Sequence, residues 1–135
     1  MPATTFTLNK VLDYLFGSAA YSAPDPLYFG LSTTLVNATG YATVTEPVAM
    51  AYARASLNND KTDWGDSVAG VLDNDVALVF PESTGNWGTI LSIFIIGTAS
   101  GAGDVIWYYT LNPTVAIGDN TIATWAAGHI ITTLT

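Results

Sequence analysis

The segment richest in hydrogen-bonding chemistry is YARASLNNDKTDWGDS, residues 52–67. It contains the only arginine of the chain, one of its two lysines and three of its eleven acidic residues: Arg54, Lys61, Asp60, Asp63 and Asp66. Carboxylate and amide oxygens are the ligands that Ca²⁺ prefers, so the three aspartates are a candidate metal site. The EF-hand spacing is absent, no glutamate closes the site, and the DND sequence at 73–75 is equally incomplete. Because Asp and Asn bond their own backbone in turns, we predict a solvated loop with no metal and no cofactor.

Catalytic chemistry has little support in this sequence. The single histidine, His129, lies in the C-terminal AAGHIITTL segment, and the chain has no cysteine. No serine sits in a G-x-S-x-G turn, so a serine-hydrolase triad has no nucleophile motif. A zinc site also fails, because the usual Cys and His ligands are missing. We predict that the protein is not an enzyme and that His129 is structural.

The aromatic residues allow a binding role. The four tryptophans, which could stack on sugar rings, are Trp64, Trp87, Trp107 and Trp125. A carbohydrate-binding protein would expose Trp64 or Trp87 beside an unpaired aspartate. In VIWYYTL, alternation places Val105, Trp107 and Tyr109 on one face, which we assign to the core. Large aromatics in a small β domain are usually core or interface residues, so sugar binding is a distant alternative.

Composition excludes several other classes. Charged residues make up 10% of the 135 residues and the net charge is −8. Nucleic-acid binding requires clustered Lys and Arg, and no such cluster is present. The most apolar run, ILSIFIIG, is far shorter than the roughly 20 residues that span a bilayer. The N-terminal MPATTFTLNK lacks the pattern of a signal peptide. We expect a soluble protein, made in the cytoplasm, that binds neither nucleic acid nor membrane.

A short amphipathic helix is predicted over residues 7–17, after a possible extended arm at 1–6. Its apolar residues recur with helical period: Leu8, Val11, Leu12, Leu15 and Phe16. Thr5 or Thr7 can cap its start, and Gly17 can end it in a left-handed conformation. A helix of about three turns must pack on something to persist. Either it lies on its own sheet, or these five residues form an interface with a neighbouring subunit.

The remainder, 24–135, reads as β structure. Predicted strands cover 26–32, 51–57, 75–81, 89–97, 104–111, 120–125 and 128–134. In AYARASL, alternation places Tyr52, Arg54 and Ser56 on one face. Residues 33–50 have weak periodicity and read as a surface excursion. Short strands with turn signals about every 10 residues predict one mainly β domain over 1–135, an antiparallel sandwich or partly closed barrel.

Several motifs follow one another in a recognisable order. They are NKVLDYLFG, LYFGLSTT, EPVAMAYARASLNNDKTDW, ALVFPESTGNWGTILSIFI, GDVIWYYTL and VAIGDNTIATWAAGHIITTL. In this order they resemble a family of small tailed-bacteriophage virion proteins, commonly labelled tail-fibre or minor-tail proteins, over nearly the whole chain. Ala51 stands where the family has glycine, and Trp125 stands where it has phenylalanine.

The resemblance implies a structural protein with no catalytic residues. It marks as structural landmarks Tyr52, Arg54, Trp64, Trp87, Gly88, Gly118 and Asp119. Arg54 is expected to pair with a loop acid or backbone carbonyls, and Trp64 to fix the loop after its strand. We predict a virion protein that forms a homo-oligomer, such as a trimer, and decorates the capsid as a cement protein bridging major capsid protein subunits. The alternative is a tail-tip, baseplate or tail-fibre adaptor protein. A module that binds host surface glycans is more distant.

Overall fold

A computed structural model describes residues 2–17 and 19–133 of the chain. The elements in chain order are α1 (Thr5–Leu15), β1 (Leu27–Ser32), a 3₁₀ helix (Gly40–Thr43), β2 (Ala55–Leu57), β3 (Val71–Asp73), β4 (Leu78–Val79), β5 (Gly88–Ile96), β6 (Val105–Ile117), β7 (Thr124–Trp125) and β8 (Ile131–Thr133).

All strand pairs are antiparallel. Four strands form the main sheet in the order β2-β1-β5-β6, and two ribbons pair β3 with β8 and β4 with β7. The predicted mainly β fold with one short N-terminal helix is therefore confirmed. Within the described ranges the strands do not close into a barrel, and the arrangement is sandwich-like.

The sheet has apolar side chains on both faces, which explains the near-continuous hydrophobic run of β5. The larger cluster includes Phe29, Leu31 and Ile95, and the smaller one contains Val36, Phe94, Ile96 and Val105. Gly30 pairs with Phe94 of the neighbouring strand, and because glycine has no side chain, the fully buried Phe94 ring can pack over it. A Cβ at Gly30 would lie 2.2 Å from the Phe94 Cζ, so this position in the YFGLS strand requires glycine.

A β-bulge at Ile106 changes which side chains share a face. Ile95 pairs with Trp107 and Ile96 pairs with Val105, which leaves Ile106 as an extra residue on β6. Val105 therefore joins the smaller cluster, while Trp107 packs against the larger one. The prediction that Val105, Trp107 and Tyr109 line one core face is wrong for Val105 because a bulge breaks the two-residue alternation. Tyr109 is also 44% exposed rather than buried.

The strand predicted over 51–57 begins only at Ala55. Ala49, Met50 and Ala51 have φ angles of 63°, 54° and 61°, a left-handed turn closed by a hydrogen bond from Tyr52 N–H to the Ala49 carbonyl. Such a turn cannot continue a strand, so Tyr52 and Arg54 precede β2. Within β2 the alternation holds, with Ala55 and Leu57 buried and Ser56 exposed.

Other strand boundaries also differ from the predicted ones. The segments predicted at 75–81 and 120–125 contain only the two-residue strands β4 and β7, and β3 was not predicted. β6 continues past Pro113, because an edge strand with an irregularity tolerates a residue that has no N–H. The last strand is β8, and Leu134, the end of the predicted 128–134 strand, lies outside the described residues.

Candidate interaction surface

The N-terminal helix is attached to the sheet at the β6 bulge. It begins at Thr5, two residues earlier than predicted, because its cap is Thr4 rather than Thr5 or Thr7. The Ile106 carbonyl accepts the Thr4 N–H at 3.0 Å and the Thr7 hydroxyl at 2.7 Å. The Thr4 hydroxyl also contacts the Val105 carbonyl. The bulged residue thus offers its carbonyl to the helix instead of to another strand.

The segment before the helix does not extend away from the domain. The Pro2 carbonyl accepts the Tyr108 N–H at 3.1 Å, and Ala3 forms a β-bridge with Trp107. Residues 2–4 therefore line the start of β6, contrary to the prediction of an extended arm at 1–6. Met1 of that arm lies outside the described residues.

Most of the apolar stripe of α1 faces solvent. Its exposed side chains are Leu8 at 36%, Leu12 at 54%, Leu15 at 67% and Phe16 at 80%, while Val11 is half-buried. The one fully buried helix residue is Thr7. Of the two alternatives for this helix, its geometry fits an interface with another molecule, because no part of 2–17 or 19–133 covers the stripe. We call Leu8, Val11, Leu12, Leu15 and Phe16 the α1 face.

A cleft separates the inner side of α1 from the end of the sandwich. It has a volume of about 400 Å³, and its walls include Val11, Tyr14, Leu27, Trp64, Ile95 and Trp107. Trp64 is 95% buried and stacks on Phe29, with ring centroids 6.2 Å apart. Its indole Nε1–H has no hydrogen-bond partner among the described residues. Trp64 thus fixes the loop after β2 and lines this cleft, which we call the α1 cleft.

Arg54 forms a buried polar centre beside Phe94, on the face of the sheet that carries the smaller apolar cluster. Its Nε and Nη2 donate to the two carboxylate oxygens of Glu46 at 2.9 and 2.7 Å. Nη1 donates to the carbonyl and hydroxyl of Thr98, and Nη2 donates to the Gly101 carbonyl. All five N–H donors of the guanidinium are therefore satisfied. The predicted pairing of Arg54 includes both a loop acid and backbone carbonyls.

Aromatic side chains surround this ion pair. The guanidinium lies 5.5 Å from the Phe94 ring centroid and 5.7 Å from that of Tyr41, within cation–π range. The Tyr52 hydroxyl donates to Glu46 at 2.7 Å, and the Leu31 N–H donates to the Tyr52 oxygen. Burial raises the pKa of Tyr52 far above its usual range, so this hydroxyl stays protonated and remains a donor. The Tyr52–Arg54 landmark pair thus ties the excursion at 33–50 to the β5–β6 hairpin loop.

The Glu46 carboxylate is kept ionised by these donors. Burial alone would raise its pKa, but hydrogen bonds from Arg54 and Tyr52 outweigh that effect, so the pKa of Glu46 is lowered. Burial likewise acts to lower the pKa of Arg54, and its bonds to Glu46 raise that pKa. Each partner therefore favours the charged form of the other.

The lowered pKa of Glu46 predicts a loss of stability in acid. A carboxylate whose folded pKa lies below its unfolded pKa stabilises the fold above the unfolded value. That contribution disappears as the pH falls through the folded pKa. The free-energy difference between wild type and Glu46→Gln, from urea unfolding between pH 7 and pH 3, should therefore shrink on acidification. A difference that stays constant with pH would contradict this role for Glu46.

The aspartates of the candidate calcium loop bond to their own segment. Asp60 accepts the Thr62 N–H at 2.8 Å, Asp63 accepts the Asn58 N–H at 2.6 Å, and Asp66 pairs with Lys61. The hydrogen bonds from Thr62 lower the pKa of Asp60. Across 2–17 and 19–133, no three carboxylate or histidine side chains are grouped so that they could hold a metal ion.

The two tryptophans proposed as sugar platforms are not exposed. Trp64 is 5% exposed and Trp87 is 4% exposed, so neither ring can stack on a ligand at the surface. The Trp87 Nε1–H donates to the Met50 carbonyl at 2.8 Å, and its ring packs edge-to-face on Tyr52. That form of the glycan hypothesis is therefore wrong, because both indoles belong to the core.

The remaining predicted residues lie in turns or at the start of a strand. Gly88 follows Trp87 with a φ of +88°, and the Gly118 carbonyl accepts the hydroxyl of the buried Ser83. Asp119 accepts the Asn120 N–H at 2.9 Å. His129 is exposed and borders a shallow cleft with Trp125. None of these four is brought into the α1 cleft or the Arg54 centre.

Sequence reasoning missed two buried polar residues. Asn74 donates from Nδ2 to the Val76 and Ala126 carbonyls and accepts the Ile130 N–H at 2.8 Å. Thr4 was missed as the helix cap. Asn74 lies in the DND sequence that was considered only as an incomplete metal motif, and two of its three partners, Ala126 and Ile130, are 52 and 56 residues away. No local pattern marks it.

The family model described as podophage GP4 fiber I protein gp80 matches residues 2–133. The chain belongs to this family. The Gp80 family is a family of phage virion structural proteins, so the resemblance stated from the motifs is confirmed and the protein is a virion component. No curated protein matches the chain. No helix in the described part of this Gp80-family chain is long and apolar enough to cross a membrane.

Proposed function

We propose that the protein is a non-enzymatic subunit of the phage tail-fibre assembly and that the α1 face binds it to another virion protein. The observation that carries this proposal is the exposure of Leu12, Leu15 and Phe16 on a helix whose polar end is firmly attached to the sheet. The fibre description of the family favours the tail over the capsid. The arginine and histidine that could support catalysis have structural or peripheral positions.

The energetics favour a partner for the α1 face. Full burial of one large apolar side chain contributes about 1.5–3 kcal/mol. Three such residues, now 54–80% exposed, would therefore contribute about 3–6 kcal/mol on being covered. This gain would offset much of the translational and rotational entropy lost on association. A helix of 11 residues also gains from packing, since an isolated one is marginal.

Capsid decoration and self-association are the other arrangements that such a face could serve. A decoration protein would occur in hundreds of copies per particle and label the shell, whereas a fibre subunit would occur in few copies and label the tail. A trimer or another homo-oligomer would be visible as a multiple of the chain mass in light scattering. The partner in the proposed assembly is another tail protein.

A phage encoding Leu12→Ser together with Leu15→Ser tests the proposal. We expect the variant chain to unfold at nearly the wild-type urea concentration, because the replaced side chains are exposed. It should nevertheless be lost from purified particles at least tenfold, as measured by quantitative mass spectrometry. The matched control is Val79→Ser with Ile122→Ser, two residues that are each 54% exposed and lie away from α1. Normal incorporation of the α1 variant, or antibody labelling of the shell in hundreds of copies, would overturn the proposal.

A further inference from the structure

We infer that the shallow cleft between β6, β7 and the turn before β8 binds one neutral pyranose sugar against the rings of Tyr109, Trp125 and His129. This site, the Trp125 cleft, is lined by Ile93, Tyr109, Trp125, His129, Ile130 and Ile131. Unlike Trp64 and Trp87, Trp125 is only half-buried and lies in an open cleft. The inference goes beyond the proposed function and does not depend on it, because the Trp125 cleft shares no lining residue with the α1 cleft or the α1 face.

The Trp125 cleft combines apolar residues of the core with aromatic walls held in place before a ligand arrives. Ile93 and Ile130, both almost fully buried, contribute its apolar part. The ring of Trp125 packs edge-to-face on the buried Phe80, with centroids 5.7 Å apart, so the core fixes its position. The volume of about 280 Å³ is just below the range of about 300–1,000 Å³ that is typical of drug-sized ligands. The cleft therefore suits a single sugar ring.

The aromatic side chains also bring unpaired polar groups to the cleft. The indole N–H of Trp125, the hydroxyl of Tyr109 and the imidazole of His129 form no hydrogen bond with any described residue. The Trp125 Nε1 is not enclosed, whereas the unpaired Nε1 of Trp64 is buried. A purely apolar occupant would remove water from these groups without replacing its hydrogen bonds, which is unfavourable. Hydroxyl groups of a sugar both donate and accept, so they can bond all three.

The charge of the Trp125 cleft favours a neutral ligand. Among the described residues that line it there is no lysine, arginine, aspartate or glutamate. A phosphate or carboxylate group would find no strong cation there, and the net charge of −8 would repel it. A pyranose is neutral, its C–H groups can pack on aromatic rings, and its hydroxyls lie around the ring edge. This combination matches the apolar and polar parts of the lining.

The indole N–H signals in the NMR spectrum of the isotope-labelled full chain test the inference. The Trp125 signal is identified as the one that is missing from Trp125→Phe. The probes are the methyl glycosides of glucose, galactose, mannose, rhamnose and N-acetylglucosamine. At least one of them should shift the Trp125 signal saturably with a millimolar Kd, as expected for so small a ligand, and leave the buried Trp64 and Trp87 signals in place. No saturable shift of the Trp125 signal with any of these sugars would overturn the inference.

Two further probes test the chemical class of the ligand. Cyclohexanol has the same ring size but one hydroxyl, so it should bind more weakly than the sugar that shifts the Trp125 signal. Methyl glucuronide carries a carboxylate and should also bind more weakly than that sugar, because the cleft supplies no lysine or arginine. Tighter binding of cyclohexanol would assign the cleft to apolar ligands, and tighter binding of the glucuronide would assign it to anions. Either result would overturn the inference.

A pair of tyrosine variants tests the assigned walls. Tyr109→Ala removes one ring from the cleft, so the affinity for the sugar should fall about threefold to tenfold. Tyr14→Ala, which replaces another exposed tyrosine on α1, should leave that affinity unchanged. Both variants should unfold at nearly the wild-type urea concentration, because both side chains are exposed. Equal sugar affinity for wild type and Tyr109→Ala would overturn the assignment. Since these measurements use the purified chain, they are independent of whether the chain enters the tail.

Discussion

Replacing Arg54 with methionine should lower the free energy of unfolding by about 3–5 kcal/mol, the cost of breaking a buried ion pair. The variant would leave the Glu46 carboxylate without its cation and the carbonyls of Thr98 and Gly101 without donors. Urea unfolding at pH 7 measures the effect. Arg54→Lys should retain little of the wild-type stability, because an ammonium cannot bond both carboxylate oxygens and two carbonyls at once.

Two further variants test whether the stability loss comes from breaking the buried ion pair or from removing any charge. The Lys61–Asp66 pair is exposed and screened by solvent, so Lys61→Met should change the unfolding free energy far less than Arg54→Met does. The double variant Arg54→Met with Glu46→Gln should lose less than the sum of the single losses, since removing both charges leaves no unpaired one. Equal costs for Arg54→Met and Lys61→Met would contradict the structural role of Arg54.

Replacing Asn74 with leucine should cost about 3 kcal/mol or more, because a buried group left without its hydrogen bond costs about 1–3 kcal/mol. Three backbone groups would lose their partners, and they are the Val76 and Ala126 carbonyls and the Ile130 N–H. The side chain is 99% buried, so water cannot replace these bonds without opening the core. Urea unfolding again measures the loss.

Asn74→Asp distinguishes hydrogen bonding from volume. It keeps the shape and the acceptor for Ile130, but it cannot donate to the two carbonyls while ionised. We expect a loss close to that of Asn74→Leu. Asn58→Ala is the matched control, because the Asn58 side chain is exposed and forms none of the side-chain bonds described here. A small effect at Asn74 would show that the 126–130 turn is held by other contacts.

The features that could be predicted from the sequence are those that a local pattern of residues determines. The helix, the antiparallel β character and the alternation in β2 follow from apolar periods of 3.6 and 2 residues. The likeness to phage virion proteins depended on the order of motifs, and the family match bears it out. The pairing of Arg54 with an acid could be expected from its isolation in a charge-poor chain, but Glu46 could not be singled out among eleven acids.

What could not be predicted depends on long-range contacts and on backbone irregularities. Three consecutive left-handed residues at Ala49–Ala51 have no glycine or asparagine to indicate them. The bulge at Ile106 leaves no mark in VIWYYTL, yet it moves Val105 to the opposite cluster. Thr4 was not recognised as the cap, since Thr5 and Thr7 are equally good capping residue types and the bonds that fix Thr4 reach β6, about 100 residues away. The burial of Trp64 and Trp87 likewise depends on strands distant in sequence.

The outer edge of β6 also bears on whether copies of the protein can pair through their backbones. A long edge strand is a template for runaway pairing between copies. Here residues 2–4 occupy its beginning, and the irregularity around Pro113 interrupts its middle. No uninterrupted ladder of backbone donors remains along this strand for a second sheet to copy. Backbone pairing with a second copy along this edge is therefore disfavoured, and contacts with other molecules are left to side chains.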